Sequence, residues 1–161
     1  MVDVKTVEDL APDEVLELIG SKLLGWRRSG DGWMVPDAGS RAPWNPFESK
    51  DDAWMIVAAL NARGWLVIVK CMPEGSQFIL GNCAVSDPKL ARRAVCELYW
   101  MGETNSVSPA MILRRPEATW DDTVERAILN TGLLVLAIEE EAGFQPSSDI
   151  AESGSGRQGE I

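Results

Sequence analysis

One seven-residue run does most to limit the folds open to this chain: Trp65-Leu-Val-Ile-Val-Lys-Cys71, bounded by Gly64 on one side and by Pro73-Glu74-Gly75-Ser76 on the other. β-branched side chains lose rotamer freedom in a helix and fit a pleated sheet, so the run reads as a strand. The turn after it sends the chain back. Gln77 to Val85 is therefore expected to be its antiparallel partner, with an irregularity at Gly81-Asn82. Segments of helical period lie before and after this pair. Strands that return through short turns, flanked by helices, predict an α+β domain.

The first helix starts at Pro12, a residue suited to the first helical position, and Asp13 and Glu14 meet the positive helix end. Val15, Leu16, Ile19, Leu23 and Leu24 recur at helical spacing, and Gly25 ends the pattern. Trp26-Arg27-Arg28 and Trp33-Met34-Val35 flank Ser29-Gly30-Asp31-Gly32 and predict a β-hairpin with Trp26 opposite Trp33. Pro36 to Phe47 is a proline-rich loop. Ser49 caps a second helix from about Lys50 to Arg63, with Ala53, Trp54, Ile56, Val57 and Leu60 on its apolar side and Gly64 at its end. Ser86, Asp87 and Pro88 predict the start of a third helix, whose buried face is Ala91, Ala94, Val95, Leu98 and Met101. Ala110 to Arg114, between Pro109 and Pro116, is expected to be a short edge strand. Thr119 is expected to cap a fourth helix over 119–142, with Asp121 and Asp122 in its first turn. Residues 1–143 thus read as one α+β domain, and 144–161 as a disordered acidic tail.

Composition excludes several function classes. The formal net charge is -10, from 25 acids against 15 bases, which argues against nonspecific nucleic-acid binding and against an anionic membrane surface. Histidine is absent, so histidine-dependent nucleophile systems and histidine zinc sites are not available. No run is long enough to span a bilayer, and no secretory signal is expected at Met1 to Leu10. The cysteines, Cys71, Cys83 and Cys96, lack metal-site or redox spacing and fit reduced thiols in a cytosol. Asp51-Asp52 and Asp121-Asp122 fit helix first turns and take no catalytic role. No catalytic residue, metal or cofactor is expected.

Binding candidates remain. The chain carries seven tryptophans. Trp54 and Trp65 are expected in the core. Trp44 lies in the proline loop beside Arg41, Asn45 and Phe47. It is either an exposed interface anchor or a side chain folded back to plug the sheet edge. The doublets Arg27-Arg28, Arg92-Arg93 and Arg114-Arg115 would hold a phosphate-bearing ligand if they converge; otherwise they neutralise nearby acids. The fourth helix has two apolar stripes. Val124, Ala127, Ile128, Thr131, Val135 and Ile138 form one; Leu129, Leu133 and Leu136 form another. The second stripe predicts a homodimer, unless Ala110 to Leu113 or the N-terminal segment covers it within one chain.

An ordered set of landmarks carries a resemblance. It runs Lys22-Leu-Leu-Gly25-Trp26, Trp33, Pro46-Phe47-Glu-Ser49 leading into Ala53, Gly64-Trp65, then Ala91 to Cys96. Over residues 10–101 the chain resembles the phage ABA-sandwich domain, a family of small bacteriophage and prophage proteins. It departs from the family's pattern at Glu97-Leu98-Tyr99-Trp100. The resemblance implies a four-stranded antiparallel sheet packed with helices, and a phage accessory protein acting in the host bacterial cytoplasm; the helix over 119–142 is additional. The expected function is non-enzymatic: an anti-defence or host-takeover inhibitor that binds a bacterial protein. The alternatives are a sponge for a nucleotide immune signal and a virion assembly role.

Overall fold

A computed structural model describes residues 4–36, 38–41, 43–73, 78–79, 91–101 and 117–142. The fold is α+β, with a long C-terminal helix. α1 (Pro12–Leu18) continues as one π-helical turn (Ile19–Leu23). β1 (Arg27–Ser29), β2 (Gly32–Val35) and β3 (Gly39–Arg41) form an antiparallel sheet in that order. α2 (Lys50–Ala62) leads into β4 (Trp65–Cys71). β5 (Phe78–Ile79) and β6 (Ala91–Arg92) pair as a ribbon. β7 (Ala94–Trp100) lies between β4 and β8 (Glu117–Asp121) in a second antiparallel sheet, and α3 (Val124–Ala142) follows.

Several elements form for local reasons. In α2 the Ser49 hydroxyl accepts from Asp52 N–H at 3.2 Å, and Asp51 and Asp52 occupy the first turn. The stop falls at Gly64, whose φ of 94° lies in the left-handed region. The hairpin turns on Gly30-Asp31, and its register places Arg28 opposite Trp33 and Arg27 opposite Met34. Trp26 therefore precedes the strand and does not face Trp33 across it as expected. Their indoles still meet, with centroids 6.5 Å apart.

The expected third helix is the largest correction. Ala94, Val95 and Leu98 belong to β7, the central strand of its sheet. β7 is an antiparallel partner of β4, with Trp65 opposite Trp100 and Cys71 opposite Ala94, while Phe78 and Ile79 pair with Arg92 and Ala91. Every residue from Ala94 to Tyr99 is buried. A run buried on both faces shows no alternation, so its spacing fits a helix and a central strand equally. Of the other expectations, the proposed partner segment apart from Phe78 and Ile79, the start at Ser86 to Pro88, the edge strand at Ala110 to Arg114 and the tail at 144–161 lie outside the described residues.

The start of α3 also differs. Thr123, not Thr119, is the cap: its hydroxyl accepts from Arg126 N–H at 3.2 Å. Thr119 stays in β8 and donates to the Ala127 carbonyl at 3.0 Å. Asp121 is the last residue of β8 and is buried. It accepts from Arg126 Nε at 2.9 Å and from Asn130 Nδ2 at 3.1 Å. Asn130 Oδ1 in turn accepts from Val7 N–H at 2.8 Å, which ties the N-terminal segment to α3.

The core lies between the second sheet and the helices. Trp65, Cys96 and Leu98 face Ile19, Ile56, Leu60, Ile128 and Val135 in one cluster. α3 packs against β7 and β8 on one side and α2 and the π turn on the other. A Cβ at Gly132 would lie 2.7 Å from Ile19 Cδ1, so the helices meet there at backbone range. This packing corrects the dimer argument. Leu129 and Leu133 are buried within the chain and Leu136 is half-buried, because α3 has neighbours on both its apolar stripes.

Candidate functional site

The proline loop is not an exposed platform. Trp44 is 3% exposed, and its indole meets Trp26 and Trp33 edge-on, with centroids 5.3 and 5.7 Å away. Its Nε1–H donates to the Asp52 carbonyl at 3.3 Å. Asn45 N–H donates to Asp52 Oδ2 at 2.8 Å, and Asn45 Oδ1 accepts from Phe47 N–H at 3.2 Å. The loop is thus tied to the first turn of α2. Phe47 packs against the core from its edge. Arg41 ends β3. Trp44 as an exposed anchor is therefore corrected: three indoles bury far more apolar area against each other than one could in water.

Trp54 is corrected in the opposite direction. It was expected in the core and is 53% exposed, because Ala53, Ile56, Val57 and Leu60 already fill the buried side of α2. Trp65 is buried as expected, and Trp100 packs edge-on against it at 5.0 Å.

Of the arginine doublets, the structure describes the side chains of Arg27, Arg28 and Arg93. Arg27 and Arg28 are exposed on β1. Arg28 lies 5.4 Å from the Trp33 ring centroid and 3.5 Å from Asp13 Oδ1. Arg93 Nε donates to the Met72 carbonyl at 3.1 Å, at the far end of the second sheet. Arg114 and Arg115 lie outside the described residues.

Among the described residues, the fold leaves open a groove that no motif marks. Leu10, Leu18, Leu133, Leu136 and Ala137 line it, with Lys5, Lys22 and Glu140 at the rim. A second, shallower depression shares Lys5, Leu10 and Leu18, and runs along α1 past Asp13, Glu14 and Glu17 to Arg28. Two of the three leucines singled out for self-association, Leu133 and Leu136, are thus on the groove wall; Leu129 is buried in the core. Beside the groove, α1 gives way to a π turn. Trp26 N–H donates to the Gly20 carbonyl at 2.8 Å, and the Trp33 ring occupies the space a Cβ at Gly20 would need, 2.5 Å away.

Arg63 braces the groove from behind. Its Nη2 donates to the Lys22 carbonyl at 2.8 Å and the Leu23 carbonyl at 3.1 Å, and its Nη1 pairs with Glu139. One guanidinium thus joins the end of α1, the cap of α2 and the last turns of α3. Burial pushes the Glu139 carboxyl above its ordinary range, against the pull of Arg63 and of the Trp65 indole. Glu139 Oε1 and Trp65 Nε1 nonetheless complete no hydrogen bond among the described residues.

A second buried carboxylate, Glu97, accepts from Lys70 Nζ at 2.8 Å and Tyr99 Oη at 3.1 Å. Burial pushes the Cys96 thiol up to about 11, which leaves it protonated and unreactive at neutral pH. Among the described residues, no group of three or more acids or cysteines is placed to hold a metal ion. No described helix is long and apolar enough to cross a membrane.

No family model matches the sequence, and no curated protein matches it either. Among solved structures, the chain is similar to a 2.0 Å crystal structure of a phage protein from Bacillus cereus ATCC 14579. The two share 14% identity over 81% of this chain and 89% of that one, with a TM-score of 0.43. A likeness of that size transfers no role.

Proposed function

We propose that this chain is a non-enzymatic phage accessory protein that binds a bacterial protein in the host cytoplasm, as an anti-defence or host-takeover inhibitor, and that it does so through the groove between α1 and α3. The groove carries the binding part of this reading. Leu10, Leu18 and Leu136 stay partly open there, beside Lys5 and Lys22. The absence of histidine supports a binder over an enzyme. The phage part rests on the sequence landmarks that resemble the ABA-sandwich domain.

A nucleotide sponge has less support. The indoles nearest Arg27 and Arg28, those of Trp26 and Trp33, are buried with Trp44, and Arg28 is already engaged by Trp33 and Asp13. Affinity capture from bacterial lysate tests the proposal, with wild type beside Leu136→Glu. A host protein retained by wild type and lost from the variant is the expected result. The same host proteins on both would remove the groove from the case.

A further inference from the structure

The segment before α1, residues 4–10, makes a turn against α3. Its tip is Val7 and Glu8: Val7 N–H donates to Asn130 Oδ1 at 2.8 Å, and Glu8 lies 4.0 Å from Arg126. Its two arms return to the groove, where Lys5 and Leu10 are part of the lining. The shape of the turn is set within the segment. Asp9 Oδ2 accepts from the Thr6 N–H and hydroxyl, both at 2.9 Å, and Asp9 N–H donates to the Thr6 carbonyl at 3.0 Å. Thr6 thereby holds the Asp9 carboxyl below its ordinary range. Only Val7 is buried in this segment; Val4, Thr6 and Leu10 are half-buried. Asn130 is oriented to receive it. Asp121 Oδ2 takes the Asn130 Nδ2 donor at 3.1 Å, which leaves Oδ1 for Val7, and Asp121 is in turn held by Arg126 Nε at 2.9 Å. On the other side of the turn, Ala11 is extended, with φ -65° and ψ 146°, and its N–H donates to Glu14 in the first turn of α1.

We infer that residues 4–10 are a strap, pinned to α3 through Val7 and Asn130, that opens about Ala11 while the rest of the fold stays closed. One buried valine and one hydrogen bond are a small part of what the whole core contributes, and the exposed pair of Glu8 with Arg126 adds little. The strap therefore lets go at a lower free energy than the fold. The bonds between Thr6 and Asp9 are internal, so the turn keeps them as it leaves, and α1 keeps Glu14 on Ala11. On opening, Lys5 and Leu10 go with the strap, and the part of the groove wall that they form goes too. The groove thus has a closed and an open form. This device lies beyond the binding role proposed above and stands without it.

The test is amide hydrogen exchange of the full chain, read by NMR at rising urea below the unfolding transition. Leu98, in the central strand β7, reports global unfolding. The Val7 amide is expected to exchange at least about a hundredfold faster than that of Leu98, and at least about tenfold slower than in an unstructured peptide. Its rate should hardly rise with urea, because opening the strap bares little surface. Val7→Ala is expected to speed exchange at position 7 by about tenfold, after allowance for the intrinsic rate of the new residue, since two buried carbons are lost. Asn130→Leu is expected to bring Val7 to the rate of an unstructured peptide while Leu98 stays protected. Equal rates and equal urea slopes for Val7 and Leu98 overturn the inference, because the segment then leaves only with the whole fold. A wild-type Val7 amide that exchanges as in an unstructured peptide overturns it as well, because nothing then pins the segment. Protection at position 7 unchanged in both variants also overturns it, since the contact with α3 is then not the fastening. The readout needs no partner, so a failed capture of host proteins leaves it intact.

Discussion

The tryptophan cluster and the groove lie on either side of α1 and its π turn, and they use their sequences in opposite ways. The cluster is built from residues typical of interfaces, and the fold spends them on the core: Trp26, Trp33 and Trp44 are all buried. The groove is built from ordinary leucines, and the fold leaves Leu10, Leu18 and Leu136 half-open. An aromatic side chain joins whichever surface removes most of it from water. At the hairpin two other indoles offer that surface. Among the described residues, no third element closes over the leucines of the groove.

The largest expected effect would break the cluster side of this contrast. Trp44→Ala should cost about 3–5 kcal/mol in urea unfolding, since the loss includes the apolar transfer and the cavity left between Trp26 and Trp33. A loss below about 0.5 kcal/mol, typical of exposed positions, would return Trp44 to the surface.

Gly20→Ala tests the seam between the two regions. The new methyl would meet the Trp33 ring at 2.5 Å, and that ring is held by Trp26 and Trp44. A destabilisation of about 1–3 kcal/mol is expected, with a change in near-ultraviolet circular dichroism as the indoles shift. An unchanged spectrum and midpoint would show that the π turn does not set the position of Trp33.

Behind the groove, Glu139→Gln sharpens the comparison through pH. Burial raises the Glu139 pKa above its ordinary value of 4.5, so the native state holds its proton more tightly than the unfolded chain. The stability from that proton is fully present below 4.5 and is lost as pH rises through the raised native value. Wild type should therefore lose stability relative to Glu139→Gln across that interval. Parallel pH profiles would mean that Arg63 fully offsets the burial. The smallest effect belongs to Trp54→Ala. Its side chain is 53% exposed, so its loss should move stability by no more than about 0.5 kcal/mol.

Much of the fold was legible because its signals are local. The Ser49 cap, the Gly64 stop, the Gly30-Asp31 turn and the β-branched run of β4 each act over a few residues. Thr119 misled because Thr-x-Asp-Asp has the form of a cap and first turn; the buried bonds of Asp121 to Arg126 and Asn130 hold it at the end of the strand, and Thr123 caps the helix instead. Little of the candidate site was legible. Leu133 and Leu136 were singled out by the second apolar stripe of α3, but as a contact between copies. Lys5, Leu10, Leu18 and Lys22 carry no motif, and they become neighbours only when Asn130 holds Val7 and Arg63 holds the end of α1.

By itself the sequence determined the class, the absence of histidine chemistry, and those helices and strands whose caps and turns lie next to them. The tertiary structure decided three further matters: that Ala94 to Trp100 is a central strand, that Trp44 is buried while Trp54 is exposed, and that α1 and α3 part to leave a groove. The reason is physical. A cap is satisfied within one turn of chain, whereas a strand pairing, a buried indole or an open groove depends on surfaces brought from residues far away in the sequence, and burial is a property of the assembled surfaces.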